Sequence, residues 1–191
     1  MRARLATGNR HKLDEFRRAL PDWEIELVET TSYPPETGST YVANARGKAE
    51  HGRLHSPGDA WVVGEDSGIE AMGLKGGPGL ESARWAADGV ARLLEELDGV
   101  GDRRARYVCT IVAIGPEGQE VVVEGTLEGA VVSERSGNEG FGYDPIFVPE
   151  GETHTVADLG DAWKASNSHR ARATRALAAA LQRSGSSRGG R

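Results

Sequence analysis

Residues 60–68 read Ala-Trp-Val-Val-Gly-Glu-Asp-Ser-Gly (AWVVGEDSG). Ala60 to Gly64 make a short, unbroken apolar run, the pattern of a strand buried on both faces. At its end stand two acids, Glu65 and Asp66, followed by Ser67-Gly68, ordinary turn chemistry. A strand covered on both faces needs layers on either side, which points to a sheet sandwiched by helices.

The flanking segments agree. Leu5-Ala6 is a short apolar stretch running into Thr7-Gly8-Asn9, and Leu13, Phe16 and Leu20 recur at helical spacing over residues 10–20, ended by Pro21. Trp23 to Val28 alternates as a half-exposed strand, and residues 29–39 carry the prolines of a loop. Thr40 is placed to cap a helix reaching Leu54. Ala43 at its N3 position lacks the reciprocal bond of a capping box, so fraying is expected there.

Downstream, Gly73 to Gly79 predicts irregular loop, and residues 91–97 a helix ended by Asp98-Gly99. Two β-rich runs, 106–114 and 119–124, flank Gly115-Pro116-Glu117-Gly118 as a hairpin, with 127–133 as a further antiparallel strand. Residues 137–151 read as a loop around a short strand at 146–148, and 168–183 as a helix by propensity. The expectation is a single α/β domain with a mixed sheet over residues 1–183, and a flexible tail over 184–191.

The chain has 191 residues, 38% hydrophobic and 27% charged, with a formal net charge of −6. That length can bury a core without disulfides or a structural metal. The single cysteine, Cys109, excludes an intrachain disulfide framework and a zinc site built on several thiolates. No stretch reaches the roughly 18 apolar residues of a membrane span, and the polar N-terminus is not that of a signal peptide. These features predict a cytoplasmic protein without a membrane partner. The acidic balance argues against binding nucleic acid by charge, while a free nucleotide needs only a local basic pocket. Of 23 basic residues only four are lysines, Lys12, Lys48, Lys75 and Lys164. In so arginine-rich a chain, a retained lysine suggests a place where a compact ammonium is needed.

Four stretches could carry chemistry, each with a plainer alternative. Thr7-Gly8-Asn9 with Lys12 lies between a strand and a helix start, where backbone N–H groups and the dipole favour an anion; a simple helix cap by Thr7 or Asn9 is the commoner explanation. Glu65 and Asp66 could hold Mg²⁺ or act as bases, or simply form an acidic turn. Phe141-Gly142-Tyr143-Asp144 offers a stacking surface and an acceptor for a base, or an aromatic plug of the core. Lys164, His169 and Arg170 surround the start of the last helix, where cations oppose the dipole and need some other reason to be there.

Taken in order, ATGNRHK (6–12), PETGSTYVANARGKA (35–49), GEDSG (64–68), GGPGLESARW (76–85), FGYDPIF (141–147) and Lys164 with Ser168-His169-Arg170 resemble the inosine triphosphate pyrophosphatase family over roughly residues 5–180. The resemblance implies a hydrolase of non-standard purine nucleoside triphosphates (ITP, dITP, XTP). It would use Mg²⁺ and attack of water on the α-phosphorus to release pyrophosphate. It also implies a homodimer and an elongated α/β fold whose two lobes flank a central cleft. Thr7, Gly8, Asn9, Arg10, His11 and Lys12 would cradle the triphosphate, with Lys48 neutralising phosphate oxygens. Glu36 and Asp66 would be the metal-side carboxylates, Asp66 also the proton acceptor, and Ser67 a substrate contact. Phe141, Gly142, Tyr143, Asp144, Lys164, His169 and Arg170 would form the base-recognition end, and Arg84 would assist at the phosphates. On this reading Lys12, Lys48, Glu36 and Asp66 converge on one metal–polyphosphate.

Donors aimed at a 6-keto oxygen would reject adenine, whose amino group leaves them unpaired, though not guanine. The chain departs from the family pattern at Glu65, often Asp, at Ala43, usually Glu, and at Trp163, frequently acidic. Two other functions remain open: a pyrophosphatase for other modified nucleotides, such as pyrimidines, and a nucleotide-binding module without turnover.

Overall fold

The computed structural model describes residues 1–56 and 58–186, the last three by their backbone alone. Strand β1 (Arg2–Ala6) leads into helix α1 (Arg10–Ala19), then β2 (Glu24–Leu27) and helix α2 (Tyr41–His55). Strand β3 (Trp61–Ala71) is followed by β4 (Gly77–Pro78), helix α3 (Gly89–Glu96), and the long strands β5 (Arg104–Ile114) and β6 (Glu120–Val131). Strand β7 (Phe147–Pro149) and helices α4 (Val156–Asn167) and α5 (His169–Ser186) complete the chain. The seven strands form one mixed sheet in the order β2-β1-β3-β5-β6-β7, with β4 beside β3.

Two compact units divide these elements. The first takes Met1–Asp66, Cys109–Gly125 and the chain from Arg170; the second takes Ser67–Val108 and Thr126–His169. In the first, β1 pairs in parallel with β2 and with β3, the latter from Ala3 opposite Trp61 to Ala6 opposite Gly64. Val63 packs into a core with Leu13, Phe16, Ile111, Leu177 and Leu181, while Val62 joins Ala6 and Val28 in a separate cluster. Successive residues of β3 thus bury opposite faces, as the apolar run requires. The second unit has its own core of Ile69, Leu93, Leu97, Tyr107, Leu127, Ile146 and Phe147. There β7 pairs antiparallel with β6 from Gly129 opposite Pro149 to Val131 opposite Phe147.

Several expectations need correction. The strand at residues 60–64 does not end at Gly64 but runs to Ala71, so Glu65-Asp66-Ser67-Gly68 is strand rather than turn. Turn composition was overridden by neighbouring strands, which satisfy the backbone that a turn would otherwise leave open. The strands expected separately at 119–124 and 127–133 are one continuous strand, β6, from Glu120 to Val131. The GPEG hairpin is present, with Gly118 N donating to Gly115 O at 3.0 Å. Helix α4 was not foreseen. Thr155 caps it, and Gly160 interrupts it at φ 83°, breaking the periodicity by which a helix is recognised. Helix α5 continues to Ser186, through the first three residues of the expected flexible tail, and residues 187–191 lie outside the described residues.

Helix α2 approaches β3 closely because its inner face is small and polar: Asn44, Ala45, Lys48, Ala49 and Gly52 are buried at helical spacing. Its start is held by the Thr40 hydroxyl, which accepts from Ala43 N at 3.1 Å in place of a full capping box. A Cβ on Gly64 would fall 2.0 Å from Ala45 O and 2.6 Å from Ala49 N, so glycine there is what permits the approach. Gly64→Ala is expected to destabilise the protein by about 1–3 kcal/mol, as overpacking does. Gly47→Ala, in the same helix with open space around its Cβ, should instead stabilise by roughly 0.5–1 kcal/mol. Urea unfolding of the two variants checks the pair.

Candidate active site

In the first unit the two acids of β3 divide between the two sides of the strand, as its period of two dictates. Asp66, on the side of Val62 and Gly64, meets α2. Its Oδ2 accepts from Asn44 Nδ2 at 2.9 Å, and its Oδ1 lies 3.2 Å from Lys48 Nζ. Lys48 Nζ also donates to Glu65 O at 2.9 Å and pairs with Glu36. A single buried ammonium therefore stands between the carboxylates of Glu36 and Asp66. Burial pushes the Asp66 carboxyl above its ordinary value despite the pull of Lys48 and Asn44. Burial disfavours the Lys48 charge, but Asp66, Glu65 and Glu36 outweigh it and hold that ammonium above its usual pKa.

Glu65, on the side of Val63, is 1% exposed and faces α1 and α5. Its Oε2 pairs with Lys12 Nζ at 2.5 Å, and its Oε1 accepts from Arg170 Nη2 at 2.9 Å and Nε at 3.2 Å. Arg170 also pairs with the buried Glu15 of α1, and Cys109 Sγ donates to Glu65 Oε1 at 3.4 Å. Burial alone would raise Glu65, yet Arg170, Lys12 and Lys48 hold it well below the usual carboxylate range. The same burial pushes the Cys109 thiol well above its ordinary value, which makes it an unreactive packing residue.

The turn before α1 is built by its own side chains. Thr7 Oγ1 accepts from Asn9 N at 3.1 Å, and Asn9 Oδ1 caps the helix through His11 N at 2.9 Å. The Tyr33 hydroxyl ties the segment down by donating to Thr7 O at 3.1 Å. Gly8, Arg10 and His11 are exposed at the helix N-terminus, where backbone dipoles favour an anion. The capping interpretation of this stretch is thus realised.

In the second unit a further buried carboxylate organises the residues expected at the base. Asp144 is 2% exposed. Its Oδ2 accepts from Lys164 Nζ at 2.6 Å and from Phe141 N at 2.8 Å, and its Oδ1 from the Tyr107 hydroxyl at 3.2 Å. Lys164 Nζ also lies 4.1 Å from the centre of the Phe141 ring. His169 stacks on Tyr107, with centroids 4.6 Å apart and planes 9° from parallel. The Tyr143 hydroxyl donates to Ser82 O at 2.9 Å, anchoring the loop that carries exposed Gly142.

The structure therefore groups Lys48, Glu36 and Asp66 as expected but gives Lys12 a different partner, Glu65. It groups Phe141, Tyr143, Asp144, Lys164 and His169 within the second unit, which also holds Ser67. Arg170, next in sequence to His169, is 2% exposed and pairs with Glu15 and Glu65. Arg84, expected near phosphates, is exposed and forms a two-pronged bond to Glu81 at 2.8 Å. Trp163, whose partner the sequence left unassigned, donates from Nε1 to Glu152 at 3.0 Å. Sequence reading passed over Asn44, Glu15 and Tyr107. Helical spacing from Lys48 would have exposed Asn44, and from Lys12 Glu15; Tyr107 sits in an apolar strand with no signal to distinguish it.

Removing the charge of Glu65 leaves Lys12 and Arg170 without their central anion. Glu65→Gln should cost about 3–5 kcal/mol at neutral pH. Because the folded pKa of Glu65 is depressed, its contribution is complete above the ordinary value near 4.5 and is lost as pH falls below it. The stability gap between wild type and Glu65→Gln should accordingly shrink on acidification, as followed by urea midpoints across that range.

Comparison with known proteins finds relatives over almost the whole chain. A model of the Ham1 family matches residues 3–180. The dITP/XTP pyrophosphatase of Bdellovibrio bacteriovorus is 40% identical over 192 residues, covering 93% of this chain and 96% of that protein. The dITP/XTP pyrophosphatase of Mycobacteroides abscessus is 40% identical over 193 residues, 93% of each chain. Among solved structures, the Staphylococcus aureus Ham1 protein superposes with a TM-score of 0.83 at 34% identity, covering 95% of this chain and 98% of that one. A HAM1 protein from Coxiella burnetii gives 0.82 at 31% identity, covering 96% and 99%. On family match, identity and fold together, this chain belongs to the Ham1 family.

Proposed function

We propose that the protein is a nucleoside triphosphate pyrophosphatase that hydrolyses non-standard purine nucleotides (ITP, dITP and XTP) to the monophosphate and pyrophosphate. The observation that carries this reading is the group of Lys48, Glu36 and Asp66, one buried ammonium between two carboxylates, in a unit that also presents the exposed, anion-favouring N-terminus of α1. Relatives about 40% identical over nine-tenths of the chain bear the dITP/XTP pyrophosphatase name.

The chemistry follows from charge. A triphosphate repels an incoming nucleophile, so its charge must be offset before water can reach phosphorus. Lys48, and Lys12 once drawn from Glu65 by a stronger anion, are the ammonium groups placed to do this. The first turn of α1 adds backbone donors. Asp66, held in place by Asn44 and Lys48, is the group proposed to orient or deprotonate the attacking water. Asn44 holds its second oxygen and so fixes the direction of the first.

Mg²⁺ fits this donor set. Glu36 and Asp66 already share one cation, Lys48, and two carboxylates with substrate phosphates are what a hard divalent ion takes. When bound, Mg²⁺ would supply Lewis-acid neutralisation of the phosphate oxygens. For the base, Lys164 and His169 are the proposed donors to a 6-keto oxygen and Phe141 the stacking surface. A homodimer and a cytoplasmic location belong to the same reading; among the described residues no helix is long and apolar enough to cross a membrane.

A panel of dITP, XTP, dATP and modified pyrimidine triphosphates, scored for pyrophosphate, tests the assignment. dITP and XTP should turn over far faster than dATP, by up to about 10⁴–10⁵-fold if buried donors alone discriminate. Equal rates on dITP and dATP would remove the base assignment, and preference for a modified pyrimidine would move the substrate class. Asp66→Asn should lose roughly 10²–10⁴-fold in kcat, the range for a positioned base, while nucleotide binding persists by calorimetry. Chelation of divalent cations should abolish turnover, and added Mg²⁺ should restore it.

A further inference from the structure

The second unit contains one side chain that touches two of the residues assigned to the base and that the functional reading has not used. Tyr107 lies on β5, 7% exposed, in the apolar core with Phe147, whose ring centroid is 4.6 Å from its own at 56°. Phenylalanine would fill that volume equally well. A buried hydroxyl needs a partner, and here the partner is Asp144 Oδ1 at 3.2 Å. The opposite oxygen of the same carboxylate holds Lys164 Nζ and Phe141 N. The Tyr107 ring in turn lies flat against His169.

We propose that Tyr107 is a positioning residue for base selectivity, its hydroxyl setting the Asp144 carboxylate that aims Lys164 and its ring setting the plane of His169. This rests on the reading that Lys164 and His169 recognise a 6-keto purine. The physical reason is torsional. The carboxylate torsion of Asp is broad and roughly two-fold, so bonds on one oxygen do not by themselves fix the plane. A donor on the other oxygen does. Once the plane is fixed, the Lys164 ammonium has a defined direction, and a base that offers a donor where an acceptor is needed meets one of its N–H groups donor to donor. Without that hydroxyl the plane is held less tightly, the ammonium can tilt, and rejection of the 6-amino group weakens.

Tyr107→Phe keeps the ring, its contact with Phe147 and its stack on His169, and removes only the hydroxyl. Pyrophosphate release from dITP and dATP is measured for wild type and Tyr107→Phe, and for both in an Asp144→Asn background, with urea midpoints alongside. The expected result is an approximately tenfold rise in KM for dITP with kcat within about twofold, and a similar fall in the dITP-to-dATP ratio of kcat/KM. In the Asp144→Asn background the same substitution should change that ratio by less than about twofold, since the route runs through the carboxylate. An unchanged ratio with an active wild type overturns this inference alone. So does a loss that lowers both substrates equally, the mark of instability, or a full effect that persists with Asn at 144. Absence of dITP turnover by the wild type overturns the functional reading and this inference with it.

Discussion

The period of two along β3 is the constraint on which the rest of the first unit depends. Glu65 and Asp66 are neighbours in sequence, and because the strand continues through them they bury opposite faces. Glu65 is thereby committed to α1 and α5, where it gathers Lys12 and Arg170. Asp66 is committed to α2, where it meets Asn44 and Lys48. Had the chain turned after Gly64, the two acids could share one face and repel. The strand instead gives each its own set of cations, and the backbone carbonyl of Glu65 links them by accepting from Lys48.

Both units follow the same rule for burying charge. Each places a carboxylate in the interior, Glu65 in one and Asp144 in the other, and surrounds it with donors from several elements. Isolated burial of such a group is prohibitive, so the donors are obligatory. The consequence for function is rigidity. A lysine held by a buried anion has one direction rather than many, and a substrate that competes for it meets a preorganised charge. The lysines that persist in this arginine-rich chain include the three so used, Lys12, Lys48 and Lys164. Each lies half-buried or buried, where a wide guanidinium fork would need more room. Lys75, which stands apart from these groups, is exposed in a left-handed turn at φ 54°.

Much of this was legible before folding was considered. The apolar run at 60–64, the helical spacing over 10–20 and the hairpin at 115–118 rest on local rules, and each appears where those rules place it. Helix α4 was not legible, because Gly160 interrupts its periodicity and its first turn follows a glycine- and threonine-rich stretch. The partners of Arg170 were not legible for a different reason: it stands at a helix start beside His169, while Glu15 and Glu65 lie more than a hundred residues away in the chain.

The amino-acid sequence by itself determined the class of fold and the cast of charged groups, since patterning and the spacing of Gly, Pro and capping residues act over a few positions. It also carried the ordered motifs by which the family is recognised. Tertiary structure alone decided which anion holds which cation. That choice depends on which face of a strand each acid occupies and on which helix packs there, and helix α2 packs close only because Gly64 leaves room for Ala45 and Ala49. Pairings of that kind are set by contacts between distant segments, and no local rule contains them.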